Sequence, residues 1–325
     1  MNSQTNTQAT TQAISSKQKN ILLNAWKWIY DYRYLHLFAL PCVLYFVIFK
    51  YIPMYGILMA FKNYRGVGGL AGIWTSEWAG LDNFINFFSG IYFWRLFRNT
   101  LVISFYRLLF SFPAPIILAI LINELKNRYF KRIVQTITYM PYFLSWVVTA
   151  GLIITLCSPT SGPINIILKS LFGTEPVFFV SDTRFFRGVL IFSDIWKNVG
   201  WGTIIYLAAM TGISPELYEA ATVDGANKWE IIHITLPSIK EITAIMFILA
   251  VGRVLNQNFD QIFNLYNPAV YEVADVFETY VYRAGVIQSQ FSYTTAVGLF
   301  KSVVSLILVI ISDKVAKKLG TEGLW

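Results

Sequence analysis

The residues of this chain that could do chemistry are polar side chains set inside long apolar runs. Within 186–210 the run carries Asp194, Lys197, Asn198 and Trp201. Asp194, Asn198 and Trp201 stand at i, i+4 and i+7, one face of a helix. Within 242–260, Arg253, Asn256, Gln257 and Asp260 stand at i, i+3, i+4 and i+7, again one face. Arg107 and Lys301 lie in two further apolar runs. Ionisable groups at membrane depth are costly and face a cavity or a partner. The two faces therefore suit a hydrated path. Aromatic faces against sugar rings, with Asn, Gln, Asp and Arg bonding hydroxyls, would suit a carbohydrate. The competing reading is internal ion pairing, such as Arg253 with a carboxylate, that only holds helices together. For Trp201 alone, helix packing is the better account.

Enzyme chemistry finds little footing. The only histidines are His36 and His233 and the only cysteines Cys42 and Cys157, too few for a metal constellation. Both cysteines sit in apolar runs and read as small buried hydrophobes rather than a disulfide. No Gly-x-Ser-x-Gly sequence occurs. No G-x-x-x-x-G-K-[ST] phosphate cradle occurs either, so any ATP that drives this protein is hydrolysed by another chain. Charged residues make up 14% and hydrophobic residues 55%, far from the roughly 25% charged of a soluble domain. The net charge of +8 is scattered around apolar runs, which fits a membrane's charge bias better than nucleic acid.

The elements that must position these groups follow from the apolar runs. Residues 1–20, rich in Ser, Thr, Gln and Asn, predict a disordered tail. Residues 21–34, mixing Trp and Tyr with Lys27 and Arg33, predict an interfacial helix. A transmembrane domain over 35–318 is expected to hold six helices, at about 35–60, 99–121, 133–156, 186–210, 242–260 and 293–311. Pro53, Pro113, Pro115 and Pro141 fall inside them. Short loop helices are expected at 81–88, 164–171 and 273–282. Residues 319–325 form a short C-terminal tail. The cluster Lys126, Arg128, Lys131 and Arg132 in a short loop places that loop, and both termini, in the cytoplasm.

Between the fourth and fifth runs lies a polar stretch, 214–237. Ser214 suits an N-cap, Pro215 the first helical position and Glu216 the positive end of the dipole. Gly225 can take the left-handed turn that ends a helix, and Asn227 can cap a second one, which Pro237 would stop. Trp229, Ile232, His233 and Leu236 then share a face. The stretch reads as a compact helix–turn–helix with small residues, on the cytoplasmic side by the charge rule. An ordinary amphipathic surface loop is the bland alternative.

Glu219-Ala220-Ala221, Asp224-Gly225-Ala226 and Ile234-Thr235-Leu236-Pro237 resemble the Glu-Ala-Ala signature of ABC-importer permeases. The spacing from Gly225 to Leu-Pro is one residue shorter than the family usually has, and Glu241 stands where a further proline is common. From about Tyr34 onward the chain is similar to the sugar and polysaccharide permeases of the maltose-permease superfamily. Phe46 to Gly56, Phe112-Pro113-Ala114-Pro115, Met140 to Trp146 and Thr321 to Trp325 carry that likeness. It extends to the first permease subunit of bacterial alginate importers. The resemblance implies an all-α type I importer fold in the bacterial inner membrane. It implies a coupling helix docking an ATPase, through Glu219, Ala220, Ala221, Asp224, Gly225, Ala226 and Trp229. It also implies a heterodimer with a second permease, two ATP-binding subunits that hold ATP and Mg, an extracytoplasmic solute-binding protein and an oligosaccharide substrate. No cofactor is expected in this chain. An autonomous channel or secondary transporter is the alternative, and a membrane-embedded glycan enzyme a more distant one.

Overall fold

The computed structural model describes residues 27, 28, 30–321, 323 and 324. The tail expected at 1–20 lies outside these, as do half of the interfacial helix expected at 21–34 and two residues of the C-terminal tail. Regular structure among the described residues is helical, apart from a single bridge between Lys62 and Trp78.

Two compact units are present, residues 1–58 and 59–325. The first carries α1 (Arg33–Phe46), which stays helical through a wider π turn at Val47–Tyr51. None of α1 is buried. Cys42 is therefore exposed, contrary to the expectation of a buried cysteine, whereas Cys157 is buried in a core.

The second unit opens with α2 (Gly69–Thr75) and α3 (Asp82–Ser89). Next come α4 (Phe93–Tyr106) and α5 (Pro113–Asn123), joined through a π turn at Arg107–Ser111. There the Phe112 amide reaches back to Arg107 O at 2.9 Å, which widens the helix just before Pro113 and lets the chain continue without that residue's N–H. Then follow α6 (Arg128–Tyr139), α7 (Trp146–Leu156), α8 (Pro163–Phe172), α9 (Phe186–Thr211), α10 (Pro215–Val223), α11 (Lys228–Ser238), α12 (Lys240–Gly252), α13 (Phe259–Leu265), α14 (Phe277–Val281) and α15 (Phe291–Lys318).

By length and composition, Arg33–Phe61, Phe93–Asn123 and Phe291–Lys318 can each cross a membrane. Two expected spans depart from single helices. The run 133–156 is broken: α6 and α7 meet at 103° around a 3-10 turn at Met140–Phe143. Pro141 lacks an N–H to continue α6, and Ser145 starts α7 by accepting from the Val148 amide at 3.2 Å. Lys197 Nζ, reaching across from α9, donates to the carbonyls of Pro141 (3.2 Å), Tyr142 (2.8 Å) and Leu144. The run 242–260 ends early: α12 stops at Gly252, and non-helical chain leads to α13.

Three apolar clusters hold the second unit. One joins α4, α7, α9 and α13 through Ile103, Ala150, Leu190 and Ile262. A second is aromatic and centres on Phe87, whose ring meets those of Phe93, Phe277 and Phe300 at 5.1–5.9 Å. The third joins α5 to α9 through Ile116, Ala119, Tyr206 and Met210. Gly200 lets α9 lie against α6: a Cβ there would sit 2.0 Å from Thr138 O. The segment between α13 and α15 is pinned by polar groups. Asn99 Nδ2 donates to the carbonyls of Glu272 and Asp275, and Arg187 donates to Asn99 Oδ1 at 2.8 Å. The fully buried Asp275 pairs with Arg283 (2.6 Å) and Arg95 (3.3 Å). Lys301 pairs with Glu278, so this charge serves packing rather than a path.

Candidate functional site: a capped helix pair and a polar cavity

The helix pair α10–α11 is built from local signals. Ser214 Oγ accepts from the Glu216 amide at 3.4 Å, and Pro215 occupies the first turn. At the other end of α10, the Ala226 amide bonds Ala221 O at 2.8 Å and the Gly225 amide bonds Thr222 O at 3.1 Å. These are the two bonds of a Schellman stop. Gly225 sits at φ +82°, the left-handed region that a residue without Cβ enters at no steric cost. The next residue, Asn227, caps α11: its Oδ1 accepts from Trp229 and Glu230, and Glu230 returns a carboxylate to the Asn227 amide. A stop and a capping box thus stand back to back.

Tyr218 Oη and Thr235 Oγ1, 3.1 Å apart, tie the helices together. Lys228 lies 3.8 Å from Glu124 at the end of α5. Pro237 falls in the last turn of α11, one residue before its end, close to the stop expected of it. Glu219, Ala220 and Asp224 are exposed, Ala221 and Ala226 half-buried, and Trp229 is 78% exposed. The Glu219 carboxylate has no hydrogen bond or ion pair among the described residues. Of the face expected on α11, Trp229, His233 and Leu236 are exposed and Ile232 half-buried.

The second feature is an open cavity of about 520 Å³ lined by the α4–α5 turn, α9 and the break after α12. Asp194, Asn198, Arg253, Asn256 and Gln257 all line it, with Arg107, Ser104 and Ser111. Asn198 donates to Asp194 at 2.9 Å. Arg107 donates to Gln261, whose amide is fixed in turn by Leu190 O (2.7 Å) and Ser193 Oγ (2.8 Å). Gln257 Nε2 donates to Ser104 Oγ and to Val254 O. Three buried polar atoms on this wall have no partner among the described residues: Arg107 Nε, Ser111 Oγ and Gln257 Oε1. Buried polar atoms are nearly always bonded, and three of the unbonded ones belong to residues of this wall.

Two expected path residues lie elsewhere. Trp201 stacks on Tyr142, centroids 4.5 Å apart and planes 4° from parallel, outside the cavity. Asp260 is exposed in the first turn of α13. The i, i+7 argument fails for it because α12 ends at Gly252. Sequence reasoning left Ser104 and Ser111 unassigned, although they flank Arg107 at helical spacing. Gln261, which braces Arg107, carried no signal.

A helical membrane chain with an exposed, doubly capped turn and an internal polar cavity is the form of a transport subunit rather than an enzyme. Residues 111–321 match the family of binding-protein-dependent transport system inner membrane components, and the chain belongs to that family. It is 45% identical to Protein LplB of Bacillus subtilis, over 90% of this chain and 91% of that one. It is 44% identical to the polygalacturonan/rhamnogalacturonan transport system permease protein YteP of the same organism, over 95% and 94%. Its fold superposes with a TM-score of 0.84, at 39% identity, on a chain of a bacterial ABC transporter involved in import of the acidic polysaccharide alginate. The superposition covers 92% of this chain and all of that one. A bacterial alginate ABC transporter in complex with an alginate pentasaccharide-bound periplasmic protein gives the same TM-score and identity, over 92% of this chain and 99% of that one.

Proposed function

We propose that this chain is one of two related permease subunits of an ATP-driven importer for oligosaccharides or polysaccharide fragments. In this reading it spans the bacterial inner membrane six times, with both termini cytoplasmic. The broken pair α6–α7 forms one span, and α9 and α12 form two more. Two ATP-binding subunits hold ATP and Mg. A binding protein delivers the sugar to the outer loops at about 62–95, 158–186 and 261–292. The named substrates of the relatives support a saccharide.

One observation carries this reading: the exposed joint is wired to the cavity through both of its flanks. Upstream, α9 carries Asp194 and Asn198 and ends at Thr211, just before the Ser214 cap. Downstream, only Ile239 separates α11 from α12, which turns by 65° and delivers Arg253 to the cavity at its far end. Closure of the ATPase pair on Glu219, Ala220, Ala221, Asp224, Gly225, Ala226 and Trp229 would move both cavity walls as levers, exposing the path to alternate sides. Trp229, with Leu217 and Val223, gives the tip apolar area for a partner to cover.

The test is ATPase activity of the whole complex in lipid, with and without binding protein loaded with oligosaccharide. Stimulation in the wild type that is lost in Glu219→Ala, with all subunits still assembled, is the expected result. Solute movement by this chain alone in vesicles, with no ATPase required, would replace this reading by an autonomous transporter.

A further inference from the structure

The cavity's charges do not balance. It holds two guanidinium groups, Arg107 and Arg253, and one carboxylate, Asp194. Asp194 is engaged by Asn198. Arg107 is held through one terminal nitrogen by Gln261, while its buried Nε faces no acceptor among the described residues. The Arg253 guanidinium makes no hydrogen bond or ion pair among the described residues. It stands at the C-cap of α12, where the chain leaves the helix and the side chain is exposed to the cavity. The ion-pair alternative for Arg253 thus finds no carboxylate among the described residues, in contrast to Lys301, which has Glu278. An unpaired guanidinium at membrane depth is expensive and marks a functional position.

We infer that Arg253, backed by Arg107, reads a carboxylate on the transported saccharide, so that the path favours acidic, uronate-type oligosaccharides over neutral ones. A guanidinium presents paired N–H donors that match a carboxylate in two parallel bonds. Around it, Asn256 is exposed and lines the same cavity, and its amide offers a neutral donor and acceptor to sugar hydroxyls. A volume of about 520 Å³ lies within the roughly 300–1,000 Å³ of small-molecule sites. Asp194, tied to Asn198, keeps the net attraction at one charge, which suits a site that must release its cargo. This inference rests on the importer reading above.

The experiment uses the complete importer with its binding protein in proteoliposomes. Two probes are compared: tetragalacturonate, and the same tetramer with its carboxyls reduced to primary alcohols. The readout is the ratio of their uptake rates. The ratio should favour the uronate in the wild type, fall at least tenfold in Arg253→Gln, and fall less in Arg253→Lys, which keeps the charge but loses the fork. A ratio indifferent to residue 253, with both probes taken up, overturns the inference and leaves the importer reading standing. If Arg253→Gln instead separates the two permease subunits, the guanidinium serves an interface and the inference is also overturned. If the wild type takes up neither probe while loaded binding protein still stimulates its ATPase, the inference is overturned; if that stimulation is absent as well, the importer reading itself fails.

Discussion

Lys197→Met tests whether the broken span is held from across the bundle. The substitution nearly conserves volume and removes one charge and three donors. Lys197 is only 5% exposed, so water cannot readily replace it. Of its three acceptors, Pro141 O keeps a second donor, the Leu144 amide at 3.2 Å. The carbonyls of Tyr142 and Leu144 lose a charged donor. Hydrogen bonds to charged groups contribute about 1.5–3 kcal/mol each, so two amount to roughly 3–6 kcal/mol. Relief of the buried ammonium's own desolvation offsets part of this, leaving a net loss of about 2–4 kcal/mol. At roughly 2 °C per kcal/mol for a chain of this size, the midpoint of thermal unfolding in lipid nanodiscs should fall by at least ~4 °C. Hydrogen exchange should quicken at 140–146 before the rest of the bundle. An unchanged midpoint together with unchanged exchange at 140–146 would refute the idea that α9 maintains the 103° bend.

Gly225→Ala forces a Cβ into the left-handed region at a cost of about 1–2 kcal/mol, while open space around it removes any clash, so Gly225→Asn should be milder. Co-purification of the ATPase subunits should weaken in the order Gly, Asn, Ala. Gly200→Ala drives a methyl into Thr138 O, and the helices must part; a loss of about 1–3 kcal/mol should appear as a lowered unfolding midpoint. Asp275→Asn strands Arg95 and Arg283 at a cost of about 3–5 kcal/mol, and limited proteolysis should then cut first within 266–290. Equal protease resistance in mutant and wild type would show that the hydrogen bonds of Asn99 suffice.

The parts of the fold legible in the sequence were those fixed by neighbouring residues. Ser214, Gly225 and Asn227 act within a few positions of themselves, and each stands in the role its chemistry suggested. The loop helix expected at 164–171 is found at Pro163–Phe172 for the same reason, with Gly173 at φ +65° ending it. The bend at Pro141 was only half legible. A proline in an apolar run announces a kink, but its size depends on Lys197, more than fifty residues away. The end of α12 was misread because hydropathy runs on past Gly252, although the polar Asn256-Gln257-Asn258 sequence there disfavours a helix. The periodic face drawn through Arg253 and Asp260 therefore joined residues on opposite sides of a break. The cavity still gathers five of the seven expected path residues, because Asp194 and Asn198 sit on an unbroken helix and the break itself carries Arg253, Asn256 and Gln257 inward.

The back-to-back stop and capping box between α10 and α11 bear on how such a subunit is made. The bonds of the stop and the capping box close between Ala221 and Glu230, a ten-residue window, and the Tyr218–Thr235 tie lies within five residues of it. Its conformation is thus encoded before any other subunit is present. A newly inserted chain would display a finished tip while still alone in the bilayer, and docking would order little new backbone. Assembly in the cell can then proceed in either order, and an orphaned subunit would expose a folded, greasy knob carrying Trp229, a feature for quality-control proteases to recognise.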